Sequence, residues 1–316
     1  MRAATLLLGL AIASACRSPA PARPADGAVA PATERVVSAE ELVRTRCDLD
    51  GRQVVTTWAG AVYAVVPGEP VRHVFDTLGM NVARCLEHRG RWHLTSRELM
   101  YYLAPETGRP LERWRNPWTD EHVAVVHVAN RLVQAPLGGG SPLHVVDGLA
   151  TLIVDVPLFY PDPLAAELAT RPFSVGDNYQ AIELFALQAP AAAVSNADLS
   201  SVPTLTLSWH REGPWLPWMK QGARPGRLLY RAHGRKVASV QMLDPLLQRE
   251  LRERVPLFLD APRCVVADRN ETSWTYFARN LPAYLAGARF PLPAAPDPTE
   301  CGASATSGRG GQRSQR

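Results

Sequence analysis

Three charged side chains stand where strand alternation sends them inward. Between 92 and 102, Trp92, Leu94, Ser96, Glu98, Met100 and Tyr102 share one mostly apolar face, and Glu98 goes with it. Tyr179, Ala181, Glu183, Phe185 and Leu187 repeat the pattern around Glu183. Leu205, Leu207, Trp209 and Arg211 do so around Arg211. An isolated charge in an apolar interior is costly, so each group must pair, meet a ligand or shift its pKa. Two chemistries are open. A Glu–Arg pair can plug and specify a β-structure. The same groups can instead anchor a ligand at the bottom of a cavity, with a carboxylate of raised pKa available for acid–base work.

Other reactive residue types say less. Trp114 and Trp118 flank Asn116-Pro117, and Trp215 and Trp218 sit among prolines. Such loops suit either the rim of a ligand mouth or a seal over a barrel end. His88 and His93 are five apart, as are His122 and His127. On one strand an odd spacing puts the two rings on opposite faces, so neither pair chelates a metal from a single strand. There is no HExxH, GxSxG, P-loop or GxGxxG opening a helix, and Gly138–Gly140 precedes Ser141-Pro142 rather than a helix. No cofactor and no metal are expected. Four cysteines, Cys47, Cys85, Cys264 and Cys301, have no zinc-finger spacing and fit a disulfide framework in an oxidising compartment, with three pairings open.

These residues need a scaffold. The 316-residue chain is 46% hydrophobic and 20% charged, enough apolar material for a substantial core. Residues 1–34 and 291–316 each carry a net +1, so only +2 of the total +4 falls between them, which gives no footprint for nucleic acid. Ser38 with Glu41 is a capping box that predicts a short helix over 39–46. From there the hydrophobic period is two. Strands are expected over 53–58, 61–66, 71–77, 80–87, 91–97, 98–103, 111–115, 123–128, 151–156, 179–188, 204–211, 227–233 and 236–242. Turn-formers such as Pro67-Gly68 and Arg89-Gly90 separate them. Helices are expected over 164–169, over 244–254 and from Asn270 onward. Short strands at roughly ten-residue spacing predict a mainly β fold, an antiparallel barrel-like (calycin-like) meander with a few short peripheral helices. A two-sheet β-sandwich has the same signature.

The N-terminus reads as an address. Met1-Arg2, an apolar run to Ile12 and Ala13-Ser14-Ala15 make a signal peptide over 1–15, far shorter than the ~20 residues of a membrane span. Cys16 directly after the small-residue site reads as the acylated first residue of a bacterial lipoprotein. Residues 16–35, rich in Pro and Ala, would be its tether. Arg17 is not the Asp of inner-membrane retention. The expected location is therefore the outer membrane, facing the periplasm, with secretion as the alternative. A single β-rich domain over 36–290 and a disordered tail over 291–316 complete the organisation.

Several segments occur together in order: Trp58-Ala59-Gly60-Ala61-Val62-Tyr63, Arg97-Glu98 leading to Tyr102, Trp114-Arg115-Asn116-Pro117-Trp118-Thr119, His127-Val128-Ala129-Asn130, Gly213-Pro214-Trp215-Leu216-Pro217-Trp218-Met219 and Thr272-Ser273-Trp274-Thr275-Tyr276-Phe277. Together they resemble the bacterial family of domain of unknown function 1838, over about Leu42 to Leu285. Gln221, and Arg131-Leu132 after Asn130, depart from its pattern. The resemblance implies no activity, but it nominates Glu98, Trp118, His127 and Asn130. With the inward-facing residues, the candidate ligand-binding set is Glu98, Tyr102, Trp118, His127, Asn130, Glu183, Trp209 and Arg211. The expected function is a membrane-tethered protein binding an apolar or amphipathic small molecule in a barrel interior. The alternatives are an isomerase, cyclase or hydrolase using Glu98 or Glu183, and a purely structural envelope lipoprotein.

Overall fold

The computed structural model describes residues 33–222, 224–268 and 270–296. The signal peptide, Cys16, Cys301 and nearly all of the expected tail lie outside the described residues. The tether expected over 16–35 gives way at Thr33 to a strand, β1 (Thr33–Val36), which pairs with another strand and so cannot be linker. The strands that follow are β2 (Val54–Val65), β3 (Arg72–His88), β4 (Arg91–Leu103), β5 (Arg113–Arg115), β6 (His122–Ala124), β7 (Val128–Leu137), β8 (Pro142–Val146), β9 (Leu149–Pro161), β10 (Asn178–Pro190), β11 (Thr206–Gly213) and β12 (Arg227–Val237). Ten of these form one antiparallel sheet in the order β1-β8-β9-β10-β11-β12-β2-β3-β4-β7, while β5 and β6 form a separate ladder. The long sheet curls into a half-barrel. It is a single curled sheet, so the sandwich is excluded and the barrel is open rather than closed.

Three pairs of expected strands are single long ones. The runs 53–58 and 61–66 are continuous in β2, 71–77 and 80–87 in β3, and 91–97 and 98–103 in β4. Gly60 and Gly79, which fall in the gaps between the expected runs, are places of close approach rather than turns. A Cβ on Gly60 would sit 2.1 Å from the Arg231 carbonyl oxygen, and one on Gly79 would lie 2.4 Å from the Trp58 ring. Gly79 thus leaves room for the Trp58 indole, and Gly60 for the backbone of β12.

The helices are short: α1 (Ala39–Arg46), α2 (Ala191–Ser195), α3 (Pro245–Glu253), α4 (Ser273–Arg279) and α5 (Leu281–Leu285). The helix expected over 164–169 is a run of turns. Asp162 does act as an N-terminal acceptor, taking the Leu164 N–H at 2.9 Å, but no helix propagates from it. The outer faces of β3 and β4 are covered by α3 and the turn after it. Tyr101 Oη donates to Glu250 Oε2 (2.9 Å), and Arg97 donates to the Asp260 carbonyl.

The open side is bridged by α4. Just before it, Glu271 N–H donates to the Leu132 carbonyl (2.8 Å) and Glu271 Oε2 accepts the Arg131 N–H (2.7 Å), fastening the segment to β7. From the helix itself, Trp274 packs on Tyr179 of β10 with ring centroids 4.6 Å apart. One end of the half-barrel is held by α1. The expected capping box is present, with Ser38 Oγ accepting the Glu41 N–H (3.1 Å) and Glu41 Oε2 the Ser38 N–H (2.9 Å). A disulfide joins Cys47, which ends α1, to Cys85 of β3, and Cys264 is likewise oxidised to a disulfide. Replacing Ser38 by alanine removes the acceptor for one orphan N–H. It is expected to cost about 1 kcal/mol, measurable by urea unfolding with the disulfide intact.

Candidate functional site

Register lines up a polar row across the concave face. Lys236 of β12 pairs with Thr56 of β2, Thr56 with Asn81 of β3, Asn81 with Glu98 of β4, and Glu98 with Asn130 of β7. Further along the barrel, Tyr230 of β12 pairs with Arg211 of β11, and Arg211 with Glu183 of β10. Strand alternation therefore carries Glu98, Tyr102, Glu183, Trp209 and Arg211 to the same concave surface, as the sequence parity implies.

Their partners differ from those expected. Glu98 and Arg211 do not pair. Arg211 lies against Glu183, with Nε to Oε1 at 3.5 Å, and its Nη2 donates to the Tyr179 hydroxyl at 2.5 Å. Its guanidinium also faces the rings of Tyr230 (4.9 Å) and Trp274 (5.8 Å), so it is held by aromatic faces as much as by charge. Glu98 instead accepts a hydrogen bond from Asn130 Nδ2 (3.3 Å). Its nearest cation is Arg46, the last residue of α1. Sequence reasoning missed Arg46, since nothing in a short helix announces that its end enters a barrel. Arg46 Nη2 donates to Asn81 Oδ1 (2.9 Å).

Glu98 is half-buried among the side chains of β3, β4 and β7. That enclosure, with the Glu183 carboxylate nearby, pushes its pKa up to about 7 against the weaker pull of Asn130 and Arg46. Burial also raises Glu183, while Arg211 and the adjacent Trp209 indole draw it back. Lys236 is pushed down to about 7, by burial first and then by Arg46. Its ammonium is engaged with Ser201 Oγ (3.1 Å) and the Val202 carbonyl (3.1 Å), so it braces the end of the barrel.

Five polar atoms around this surface are buried and have no hydrogen-bond partner among the described residues: Arg46 Nη1, Thr56 Oγ1, Trp58 Nε1, Asn81 Nδ2 and Asn130 Oδ1. Such groups typically cost 1–3 kcal/mol each when left unpaired, and natural interiors hold few of them. Unpaired buried atoms occur elsewhere too, at Trp218 and Trp274 for instance, but these five lie on the face that carries Glu98.

The other nominated residues lie away from it. His127 is buried beside Tyr101, with ring centroids 4.7 Å apart, and its Nδ1 accepts the Tyr102 N–H (3.1 Å). Burial, then Arg254 and Arg289, push it down to about 3, so the ring is neutral and structural. Trp118 sits at the far end, its N–H donating to Glu69 Oε2 (2.9 Å), with Arg72 and Arg224 each 5.6 Å from its ring. Trp114 and Trp218 pack with Phe75 into the seal over that end, and Tyr102 joins them through Phe75 and Trp218. His88 and His93 are not on one strand: the Arg89-Gly90 turn divides them between β3 and β4, where register brings their rings to 5.6 Å. No metal-holding group of His, Cys, Asp or Glu occurs among the described residues. A cleft of about 740 Å³ lies elsewhere, between β7 and the segments after α3, lined by Leu132, Phe258, Glu271 and Tyr276. Its buried carboxylate, Glu271, is already engaged by Arg131 and Arg279, and its other carboxylate, Asp268, is exposed.

The molecule is thus an antiparallel half-barrel with a tryptophan-lined, carboxylate-bearing concave face. The model of a family described as protein of unknown function (DUF1838) matches residues 51–281, and the chain belongs to that family. No curated protein matches the chain. The matched stretch holds Glu98, Glu183 and Arg211 but leaves α1, and Arg46 with it, outside.

Proposed function

We propose that this protein binds a small molecule on the concave face of its half-barrel, as an extracytoplasmic lipoprotein tethered through acylated Cys16. The observation that carries the reading is the cluster of unpartnered buried polar atoms around Glu98. The ligand this chemistry suits has an apolar body to lie against Trp58 and Trp209 and polar atoms to satisfy Arg46, Asn81 and Trp58, and its entry parts side chains that pack together in the unliganded protein. The tether rests on the Cys16 motif. No helix among the described residues is long and apolar enough to cross a membrane.

Mass spectrometry of compounds released on denaturing natively purified protein tests the binding. A compound retained by wild type and reduced at least ten-fold in Asn81→Leu is the expected result. Equal retention by both, or none by wild type, counts against it. A second reading, an isomerase, cyclase or hydrolase, is favoured by one fact: a carboxyl with pKa about 7 is suited to give and take protons near neutrality. Conversion of the retained compound, lost in Glu98→Gln while binding persists, distinguishes catalysis from binding alone.

A further inference from the structure

The outward face of the same sheet carries a second pattern. On β9 and β10 it carries exposed apolar side chains, with Phe159 71%, Ile153 41% and Leu184 39% exposed, interrupted by Gln180 opposite Phe159 and Asp155 opposite Leu184. On β12 it is basic: Arg231, His233 and Arg235 alternate outward and are exposed. Register makes the two patterns continuous, since Leu184 pairs with His210 of β11 and His210 with Arg231. A shallow hollow of about 490 Å³ lies over β12 and its neighbours β11 and β2, lined by Tyr63, Val71, His210, Leu229, Arg231 and His233. Among the described residues no carboxylate pairs with Arg231 or Arg235. The acidic groups on this face are Glu212, already bridged to Arg227 at 2.6 Å, Asp76 of β3, paired with His73 at 2.9 Å, and Asp155.

We propose that this face is a docking surface for an anionic phospholipid bilayer, with headgroup phosphates on Arg231, Arg235 and His210 and with Phe159 and Leu184 entering the interface. Apolar side chains next to unpaired cations are what interfacial binding requires. The position of the chain's entry supports the choice of occupant. β1 is joined through β8 to β9, so the segment leading back to Cys16 enters the sheet two strands from Phe159. The 16 residues from Arg17 to Ala32 reach at most ~55 Å when extended. An acyl group at Cys16 would therefore keep the face at high local concentration beside lipid. The surface itself does not depend on acylation.

The test uses the full mature chain carrying Cys16→Ser, sedimented with vesicles of phosphatidylcholine alone or with one quarter phosphatidylglycerol. Binding several-fold stronger to the anionic vesicles, and lost at 0.5 M salt, is expected. Arg231→Gln should weaken it about five-fold and Phe159→Ser about ten-fold, while Arg109→Gln, an exposed site on another loop, should leave it unchanged. Thermal melts of each variant guard against misfolding, which is not expected at these exposed positions. Equal partition to both vesicle types, or undiminished binding by Arg231→Gln and Phe159→Ser, overturns the proposal. So does a concentration-dependent dimer that Phe159→Ser abolishes in the absence of vesicle binding, which would assign the face to a second copy. Because the assay lacks the acyl group, its failure is separate from failure of the Cys16 reading, which membrane fractionation of wild type against Cys16→Ser decides.

Discussion

Replacing Arg211 by methionine is expected to lower the unfolding free energy at pH 8 by about 3–5 kcal/mol. Methionine keeps most of the buried volume, so the loss comes from the charge and its contacts. Glu183 is left without its cation, the Tyr179 hydroxyl without its donor, and Tyr230 and Trp274 without the guanidinium over their rings. The native protein answers by protonating Glu183, whose pKa is raised by burial even in wild type. The charge part of the cost should therefore shrink as pH falls through the raised folded-state pKa of Glu183 and be gone by about 4.5, where the unfolded chain also protonates its carboxylates. Pairing Arg211→Met with Glu183→Gln should recover part of the loss, and urea unfolding of the four proteins in a double-mutant cycle reads the coupling. A loss under 1 kcal/mol, or strictly additive effects, would show that the two charges are independently solvated.

Glu98→Gln should have the opposite sign. Glu98 has a folded-state pKa of about 7 against an ordinary value of 4.5. Below pH 4.5 it is protonated folded and unfolded, and contributes nothing. Between 4.5 and 7 the folded state keeps a proton that the unfolded chain has released, so stability falls as pH rises. Above 7 the full cost of holding the carboxylate, about 3 kcal/mol, is present. Glutamine has no such cost. The stability of Glu98→Gln relative to wild type should climb by about that amount between pH 4.5 and 8. The difference must be measured, because other groups oppose the trend in wild type. His127, depressed to about 3 from 6.5, adds stability as pH rises through 3 to 6.5, and Lys236, depressed to about 7 from 10.5, adds it from 7 to 10.5. A flat difference curve would mean that Glu98 titrates as if in water. A climbing one marks a residue that weakens the unliganded fold, the usual signature of a group kept for a site.

Much of this protein is local and was therefore readable along the chain. Alternation sets which face of a strand a side chain occupies, so Glu98, Glu183, Trp209 and Arg211 could be placed inward without any knowledge of neighbours. The Ser38 capping box and the helix start at Asp244 depend on residues three or fewer apart, and the structure has them, while the helix expected from Asn270 begins only at Ser273, capped by Thr272. What period two does not contain is who stands opposite. Gly60 and Gly79 look like turn residues in one dimension and are contact points in three, because only strand pairing brings the Arg231 backbone and the Trp58 ring onto them. His88 and His93 fail as a same-strand pair yet meet across a hairpin. The partner of Glu98 was decided by tertiary structure in the same way. Arg46 comes from a helix 52 positions earlier, and Arg211 goes to Glu183 because β10 and β11 are adjacent. Closure was decided there too. The sheet does not meet itself, and α4 carries Trp274 across the gap to Tyr179. Side-chain direction is a property of one strand, whereas electrostatic partnership falls with distance in space and takes no account of distance along the chain.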